Sequence, residues 1–402
     1  MVEHMMASRM AGMKASEIRE LLKLLDQPGI ISFAGGIPDP ALFPAADFAE
    51  ATAEALSDAN CAQALQYSVS EGYLPLRRWI ARHMAGLGIA CAPDQVMITS
   101  GSQQALDYLG KMFLSPGDTA LVGWPTYLGA LAAFNAYEPH YEQLNLNGNR
   151  AAEDYRAAAQ AAGGQVKFAY LSADFANPTG ETVDRAGRER LLKLADALDC
   201  PILEDAAYQA LRYDGVPVPP ILALELAQKG DLDACRTIYC GSFSKTLSPG
   251  LRLGWVVAAR PVISKLVLLK QASDLHTATL NQMVVCAVAE RAFYSHVARL
   301  RDIYGRRRDR MLAALAEHMP EGVTWTRPEG GMFIWVTLPP HLDGATLLAQ
   351  AIDTARLAFV PGQAFFADGS GGNTLRLAFS CADEAATDEG IRRLGVLLHT
   401  QI

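Results

Sequence analysis

No C-x-x-C pair occurs among the seven cysteines of this 402-residue chain; Cys61, Cys91, Cys200, Cys235, Cys240, Cys286 and Cys381 are odd in number and scattered. That pattern excludes a paired-cysteine motif and points to reduced thiols in a cytoplasm, most of them core filler. Positive charge is in deficit too: 35 Lys and Arg against 43 Asp and Glu give a net charge of -8. An acidic balance excludes a general nucleic-acid or membrane-surface binder, because those partners select basic faces, but it leaves room for a small cationic pocket. The first 29 residues lack an apolar h-region and a cleavage-site pattern, so neither a signal peptide nor a membrane anchor is expected. No G-x-G-x-x-G follows the first strand-like run, which disfavours a dinucleotide enzyme. What remains is ordinary for a soluble globular protein, with 50% hydrophobic and 19% charged residues and length for roughly two to three domain-sized units.

Along the chain, "ASEIRELLKLLDQPG" spaces Ile18, Leu21, Leu22 and Leu25 as a helix and stops at Pro28 and Gly29. "SFAGGIPDPALFP" is too rich in Gly and Pro for regular structure and reads as a shaped loop. From residue 95 to 260, short apolar runs alternate with helical pieces: "QVMITS", "TALVGW", "VKFAYLS", "CPILED", "RTIYCGS" and "GWVVAA" are the runs. Such alternation predicts a mainly parallel sheet with helices on both faces, and ligands then belong at the carboxyl ends of the strands. After residue 290 a long amphipathic helix, strand-like "GGMFIWVTL" and "NTLRLAFS", and a final helix predict a smaller α+β domain. The resulting division is an N-terminal arm with part of the small domain (1–47), a large domain (48–290) and a C-terminal small domain (291–402).

Polar, glycine-rich motifs follow the runs, as the strand-end rule requires. "SGSQQAL" opens a helix with Ser102 and Gln103 at its amino end, a phosphate position or simply a capped helix. "WPTY" puts Tyr127 where an aromatic face covers a planar ligand or fills a core. "NPTG" offers Asn177 in a tight turn. "LEDAAY" ends a run with Asp205, followed three residues on by Tyr208 at an expected helix start, where the acid either caps the helix or neutralises a cationic ring nitrogen. "SFSKTLSPGLRLG" surrounds Lys245 with Ser242, Ser244 and Arg252, a set that suits an anion because hydroxyls donate short bonds and arginine matches phosphate geometry.

Taken in order, "GSQQ…PTY…NPTG…D-x-x-Y…SFSK-x6-R-x-G" resembles the fold-type I pyridoxal-phosphate enzymes, class I/II aminotransferases, over nearly the whole chain. The segments "ISFAGGIPDPALFP", "LQYSVSEGYLPLR", "DLHTATLNQ" and "GGMFIWVTLP" are similar to the branch with 2-aminoadipate and kynurenine aminotransferases. The resemblance implies an α/β fold whose large domain holds a mainly parallel seven-stranded sheet sandwiched by helices. It implies that Lys245 forms the Schiff base with pyridoxal 5'-phosphate, and that Ser102, Gln103, Ser242, Ser244 and Arg252 hold the phosphate. Tyr127 would stack on the ring, Asp205 would pair with the pyridinium nitrogen, and Asn177 and Tyr208 would bond the 3-oxygen. Arg376 would clamp the substrate α-carboxylate. Tyr67 would reach the phosphate of the neighbouring subunit, which implies a homodimer with shared active sites, and Gly35, Gly36 and Arg19 would shape the side-chain pocket. Two departures fall off the catalytic positions: Ala176 stands where the family has glutamine, and Ala206 where many relatives have a second acid.

These residue types suit the reaction. The Cα proton of an amino acid is too weakly acidic to leave at neutral pH unless the cofactor's cationic ring delocalises the electron pair, and a carboxylate favours that ring proton by opposing charge. A lysine with lowered pKa serves as nucleophile and then as general base, while a bidentate arginine orients Cα. Arg19, on a helix, either is a solvated surface residue or faces the pocket and favours a second carboxylate or polar aromatic substituent. The expected activity is transfer of the amino group from 2-aminoadipate, glutamate or an aromatic or other bulky donor to a 2-oxo acid such as 2-oxoglutarate, by a ping-pong mechanism. A β-eliminating lyase or a decarboxylase would use the same lysine and ring contacts. A pyridoxal-phosphate-sensing transcription regulator would need a basic helix-turn-helix before "SFAGG", and the acidic sequence has none there. No metal is expected.

Overall fold

One seven-stranded sheet organises the larger part of the chain, in a computed structural model that describes residues 3–13, 29–145 and 148–401. After a two-residue strand β1 (Ile31–Ser32), its members in chain order are β2 (Val96–Thr99), β3 (Thr119–Val122), β4 (His140–Gln143), β5 (Val166–Leu171), β6 (Ile202–Asp205), β7 (Ile238–Ser242) and β8 (Gly254–Val257). They lie in the order β2-β8-β7-β6-β5-β3-β4. β8 runs antiparallel to both neighbours and the rest run parallel, so the expected mainly parallel sheet is present. Every residue of β2, β3, β6, β7 and β8 is buried, as expected for strands covered by helices on both faces. Of this sheet β4 alone was not foreseen: at one edge its sequence "HYEQ" is polar and half-exposed, unlike buried β2 at the other, so it carries no apolar run.

Four further strands, β9 (Thr324–Trp325), β10 (Phe333–Thr337), β12 (Val360–Pro361) and β13 (Thr374–Ala378), form an antiparallel sheet in the order β12-β13-β10-β9. β11 (Leu357–Ala358) pairs in parallel with β1 as a separate two-stranded sheet, and Ala378 N–H of β13 donates to Phe33 O at 2.8 Å, which ties the start of the "SFAGG" segment to the smaller sheet. The long helix is longer than its charge pattern suggested, running unbroken from Thr279 to His318. Its first half packs Val285 and Val288 with Leu76, Ile98 and Trp255, and its second half packs Leu300, Tyr304 and Leu315 with Phe333, Leu377 and Leu394. Each fully buried apolar side chain of this kind stabilises by about 1.5–3 kcal/mol, so one helix joins two cores. The boundary drawn at 290/291 falls inside it.

The segment after Asp205 is not the helix start that "AAYQAL" suggested. Residues 207–210 are turns, with Leu211 N–H donating to Tyr208 O at 2.8 Å. Asp205 therefore caps no helix. Residues 15–28 of the helical pattern, with Arg19, lie outside the described residues.

Candidate active site

The carboxyl ends of β2, β5, β6 and β7 open onto one cavity of about 280 Å³. That places it where the strand-end rule expects a ligand, at the small end of the usual range for ligand pockets. β2 ends in a turn at Gly101, beyond which the helix Ser102–Phe113 begins, with Ala105, Leu106 and Leu109 buried on its core face. Ser102 and Gln103 line the cavity at that helix's amino end, where free amides and the helix dipole favour an anion. Gly101 has φ 84° and ψ 161°, a conformation that is essentially glycine-only. A Cβ there would also stand 2.4 Å from Arg252 Nη2, so the bare backbone makes room for the guanidinium.

Arg252 itself is held at φ 53°, left-handed for a residue with a side chain, and its Nη1 donates to Pro249 O at 3.2 Å. Strain of this kind costs of order 1–3 kcal/mol and gathers at ligand clamps. Ser242 and Ser244 line the same end, and Ser242 Oγ accepts from Ser244 N at 3.1 Å, which leaves its own proton to donate. Two hydroxyls, a guanidinium and a helix terminus thus converge where a phosphate would sit.

Tyr127 lies along the same wall. Its hydroxyl is 3.5 Å from Gln103 Oε1, and Gln103 Nε2 donates to Gly129 O at 2.6 Å. A Cβ on Gly129 would be 2.4 Å from Tyr127 Cζ, so glycine lets the ring lie against the backbone. At the opposite end, Asp205 is 4% exposed and its Oδ2 accepts from the Tyr170 hydroxyl at 2.9 Å, while its Oδ1 is buried without a partner. Burial lifts the Asp205 carboxyl to about 6; the bonds from Tyr170 and the Ala207 amide, then the Lys245 cation, act the other way. An orphaned, buried carboxylate oxygen at a cavity wall calls for a cationic N–H donor.

Lys245 Nζ donates to Gly36 O at 3.0 Å and stands 5.8 Å from the Tyr208 ring centre. Burial, then repulsion from Arg376 and Arg252, lowers its amine to about 8, against a smaller opposing pull from Asp205. Arg376, 1% exposed on β13, donates from Nη1 to Asn177 Oδ1 at 2.7 Å and from Nη2 to Ala34 O at 3.0 Å. Its guanidinium carbon lies 4.2 Å from the Phe333 ring centre and 5.1 Å from that of Phe365. Burial brings it down to about 10, which still leaves it charged at neutral pH. No carboxylate pairs with it among the described residues and its Nε is unpartnered, so it offers a carboxylate-shaped grip. Asn177 also stands near the Tyr208 hydroxyl, whose ionisation burial pushes far above the usual range.

Twelve of the residues singled out from sequence therefore line one cavity: Gly36, Ser102, Gln103, Tyr127, Asn177, Asp205, Tyr208, Ser242, Ser244, Lys245, Arg252 and Arg376. Tyr67 does not. It is 78% exposed, edge-on to His276 at 5.9 Å, on the outside of this single chain. Arg19 lies outside the described residues. Sequence reasoning missed Ser172, which lines the cavity just past the end of β5 and was within reach of the strand-end rule. It also missed Tyr170, which lies inside an apolar run and is indistinguishable there from core filler.

These residues fit pyridoxal phosphate on three counts: the anion cradle at one end, the orphaned Asp205 Oδ1 at the other, and a depressed amine between two arginines. Comparison with known proteins agrees. The family model described as Aminotransferase class I and II matches residues 30–394. An aromatic-amino-acid aminotransferase 1 from Thermococcus litoralis is 44% identical over 398 residues, 98% of this chain and 93% of that protein. Among solved structures, a kynurenine aminotransferase from Pyrococcus horikoshii, in complex with PMP, is 42% identical with a TM-score of 0.91, covering 100% of this chain and 98% of that one. The α-aminoadipate aminotransferase from Thermus thermophilus, complexed with N-(5'-phosphopyridoxyl)-L-leucine, is 39% identical with a TM-score of 0.88 over 100% and 98% of the two chains.

Proposed function

The chain belongs to the class I and II aminotransferases, a pyridoxal-phosphate-dependent transaminase family, and from that premise we propose that Lys245, Asp205 and Arg376 divide the work of its reaction. The observation that carries the reading is their convergence, with Arg252 and Asn177, on one cavity. Ser102, Gln103, Ser242, Ser244 and Arg252 hold the cofactor phosphate, Tyr127 covers the ring, Asp205 Oδ1 opposes its nitrogen, and Asn177 and Tyr208 bond its 3-oxygen.

When bound, pyridoxal phosphate supplies an electron-poor cationic ring that delocalises the electron pair left when Cα loses its proton. Everything else is done by side chains of this chain. Lys245, with its amine brought down to about 8, lies close enough to its neutral form near neutral pH for Nζ to take the Cα proton and pass it on. Arg376 grips the α-carboxylate through two donors, and Asn177, bonded to Nη1, fixes the plane of that grip. That orientation decides which Cα bond breaks, and a grip that holds the Cα–H bond toward Lys245 serves proton loss in place of decarboxylation.

The donor is an amino acid with a second carboxylate or a bulky aromatic side chain, the acceptor a 2-oxo acid such as 2-oxoglutarate, and the two half-reactions alternate in ping-pong order. Support comes from the aromatic, kynurenine and aminoadipate enzymes among the relatives. The functional unit is a homodimer in which Tyr67 completes the partner's phosphate site; exposure of Tyr67 on the single chain favours this. Residues 48–290 form the cofactor-binding domain, and 1–47 with 291–402 form the small domain, a division supported by the pairing of β1 with β11. No described helix is long and apolar enough to cross a membrane, and scattered cysteines without a C-x-x-C pair suit a cytoplasmic enzyme. The test is to mix cofactor-loaded protein with single amino acids and record which ones shift the visible absorption band and release a 2-oxo acid. Response to aminoadipate, glutamate or aromatic donors supports the reading; ammonia release, or response only to small aliphatic donors, contradicts it.

A further inference from the structure

Tyr170 has no role in the reading so far, yet it touches the group on which the reading depends. It lies on β5, beside β6, with its register partner Leu203 two residues from Asp205. It is fully buried and packs edge-on against Phe134 at 5.5 Å. Its hydroxyl donates to Asp205 Oδ2 at 2.9 Å. The Ser172 hydroxyl, on the cavity wall, stands near enough to the phenol to polarise it, extending the line from Asp205 through Tyr170 toward the cavity. Burial beside a carboxylate keeps the phenol protonated, which makes it a permanent donor. The consequence is asymmetry: Oδ2 is occupied from behind, and Oδ1 alone is left for the cavity.

We propose that Tyr170 is a positioning residue for amino transfer: by donating to Oδ2 it keeps Asp205 a weak enough base that the proton between Oδ1 and the cofactor's ring nitrogen stays on nitrogen. The inference rests on Asp205 as the ring-nitrogen partner. Its logic is a competition for one proton inside a dry site. A buried carboxylate that loses one of its donors becomes more basic, because burial penalises its charge, and the Ala207 amide remains as the weaker contributor. Without the phenol, the low-dielectric wall favours the neutral arrangement, with the proton on oxygen and an uncharged ring. A hydrogen bond to a charged acceptor is strong enough to shift this balance by one to two units of acidity, about ten- to a hundred-fold in proton partition. The other ionisable groups facing Asp205 are Lys245, Tyr208, Tyr239 and Cys240. The last three are held neutral by burial, so they supply no charge to replace the phenol's effect.

The experiment loads the holoenzyme with pyridoxal phosphate carrying 15N in its ring and reads the nitrogen resonance by NMR at neutral pH. Wild type should show a protonated ring nitrogen. Tyr170→Phe should move the resonance toward that of neutral pyridine by the partition given above, and Ser172→Ala should move it the same way by less. Phe134→Leu loosens the packing around the ring without touching the hydroxyl and should leave the resonance in place. If Asp205→Asn moves the signal and Tyr170→Phe does not, the role of Tyr170 is overturned while that of Asp205 stands. If Asp205→Asn leaves the signal unmoved, the reading of Asp205 itself fails. An equal shift in Phe134→Leu would make Tyr170 structural only. Should Tyr170→Phe not bind cofactor, Ser172→Ala carries the test, and an unmoved signal there overturns the proposal.

Discussion

Gly101→Ala probes the phosphate end with a single methyl group. The residue sits at φ 84°, ψ 161°, where a side chain costs about 1–3 kcal/mol in backbone strain. The new Cβ would stand 2.4 Å from Arg252 Nη2 and 3.0 Å from its Cζ. Both are atoms at the end of a flexible side chain, so the clash is relieved by swinging the guanidinium away and not by opening the fold. The relief is the damage: Arg252 would lose its proposed charge-assisted bond to phosphate, worth about 1.5–3 kcal/mol. Cofactor affinity should fall about ten- to a hundred-fold, with a modest drop in melting temperature from the strain. Titration of cofactor-free protein with pyridoxal phosphate, followed by absorbance, measures the first effect, and thermal unfolding of the same samples measures the second. Because the methyl group acts through Arg252, the double variant Gly101→Ala, Arg252→Ala should bind no more weakly than Arg252→Ala alone. Wild-type affinity in Gly101→Ala, or fully additive losses in the double variant, would refute the placement of Arg252 over the phosphate.

Arg376→Lys keeps the charge but loses the fork and the bonds to Asn177 Oδ1 and Ala34 O, so kcat/KM for the amino donor should fall about a hundred-fold, near 3 kcal/mol, with cofactor affinity unchanged; steady-state kinetics check it. Lys245→Met should stabilise the cofactor-free protein. The folded state lowers the amine from its usual 10.5 to about 8, so below pH 8 the native chain holds a buried charge that costs about 3 kcal/mol. Between pH 8 and 10.5 the unfolded chain binds the extra proton, native stability rises with pH, and the advantage of the methionine variant should shrink toward zero; denaturant titrations at pH 7, 9 and about 10.5 follow it. Tyr67→Phe should weaken cofactor binding about tenfold while leaving sedimentation unchanged, since in the proposed dimer it would remove one hydroxyl directed at the partner's phosphate.

Legibility of the fold from sequence followed burial. Six strands declared themselves as apolar runs because helices cover them on both faces, whereas β4, at the sheet edge, needs no apolar residues and gave no signal. The long helix showed only its charged second half, since its first half is buried in the larger core and its periodicity is blurred by apolar residues on every side. In the site, residues adjoining strand ends were readable because motif and position agreed: Ser102, Asn177, Asp205 and Lys245 all adjoin strand or turn boundaries. Asp205 was correctly located but its surroundings were not, because the turn after it is held by a tertiary partner that no local pattern reveals: Gly331 N–H bonds Leu211 O. Tyr170 was invisible for the opposite reason: its side chain reaches its partner across two strands thirty-five residues apart in sequence, and nothing in "VKFAYLS" distinguishes a bonded tyrosine from a packed one.

The central claim is that Lys245 is the residue joined to the cofactor. Reducing the cofactor-loaded protein with borohydride fixes an amine–aldehyde linkage, and peptide mapping by mass spectrometry then locates it. The account predicts one modified lysine, Lys245, in the peptide containing "SFSKTLSPG", and no modification in Lys245→Ala. A label on Lys270 or any other lysine, or visible cofactor absorbance and turnover surviving in Lys245→Ala, would contradict it.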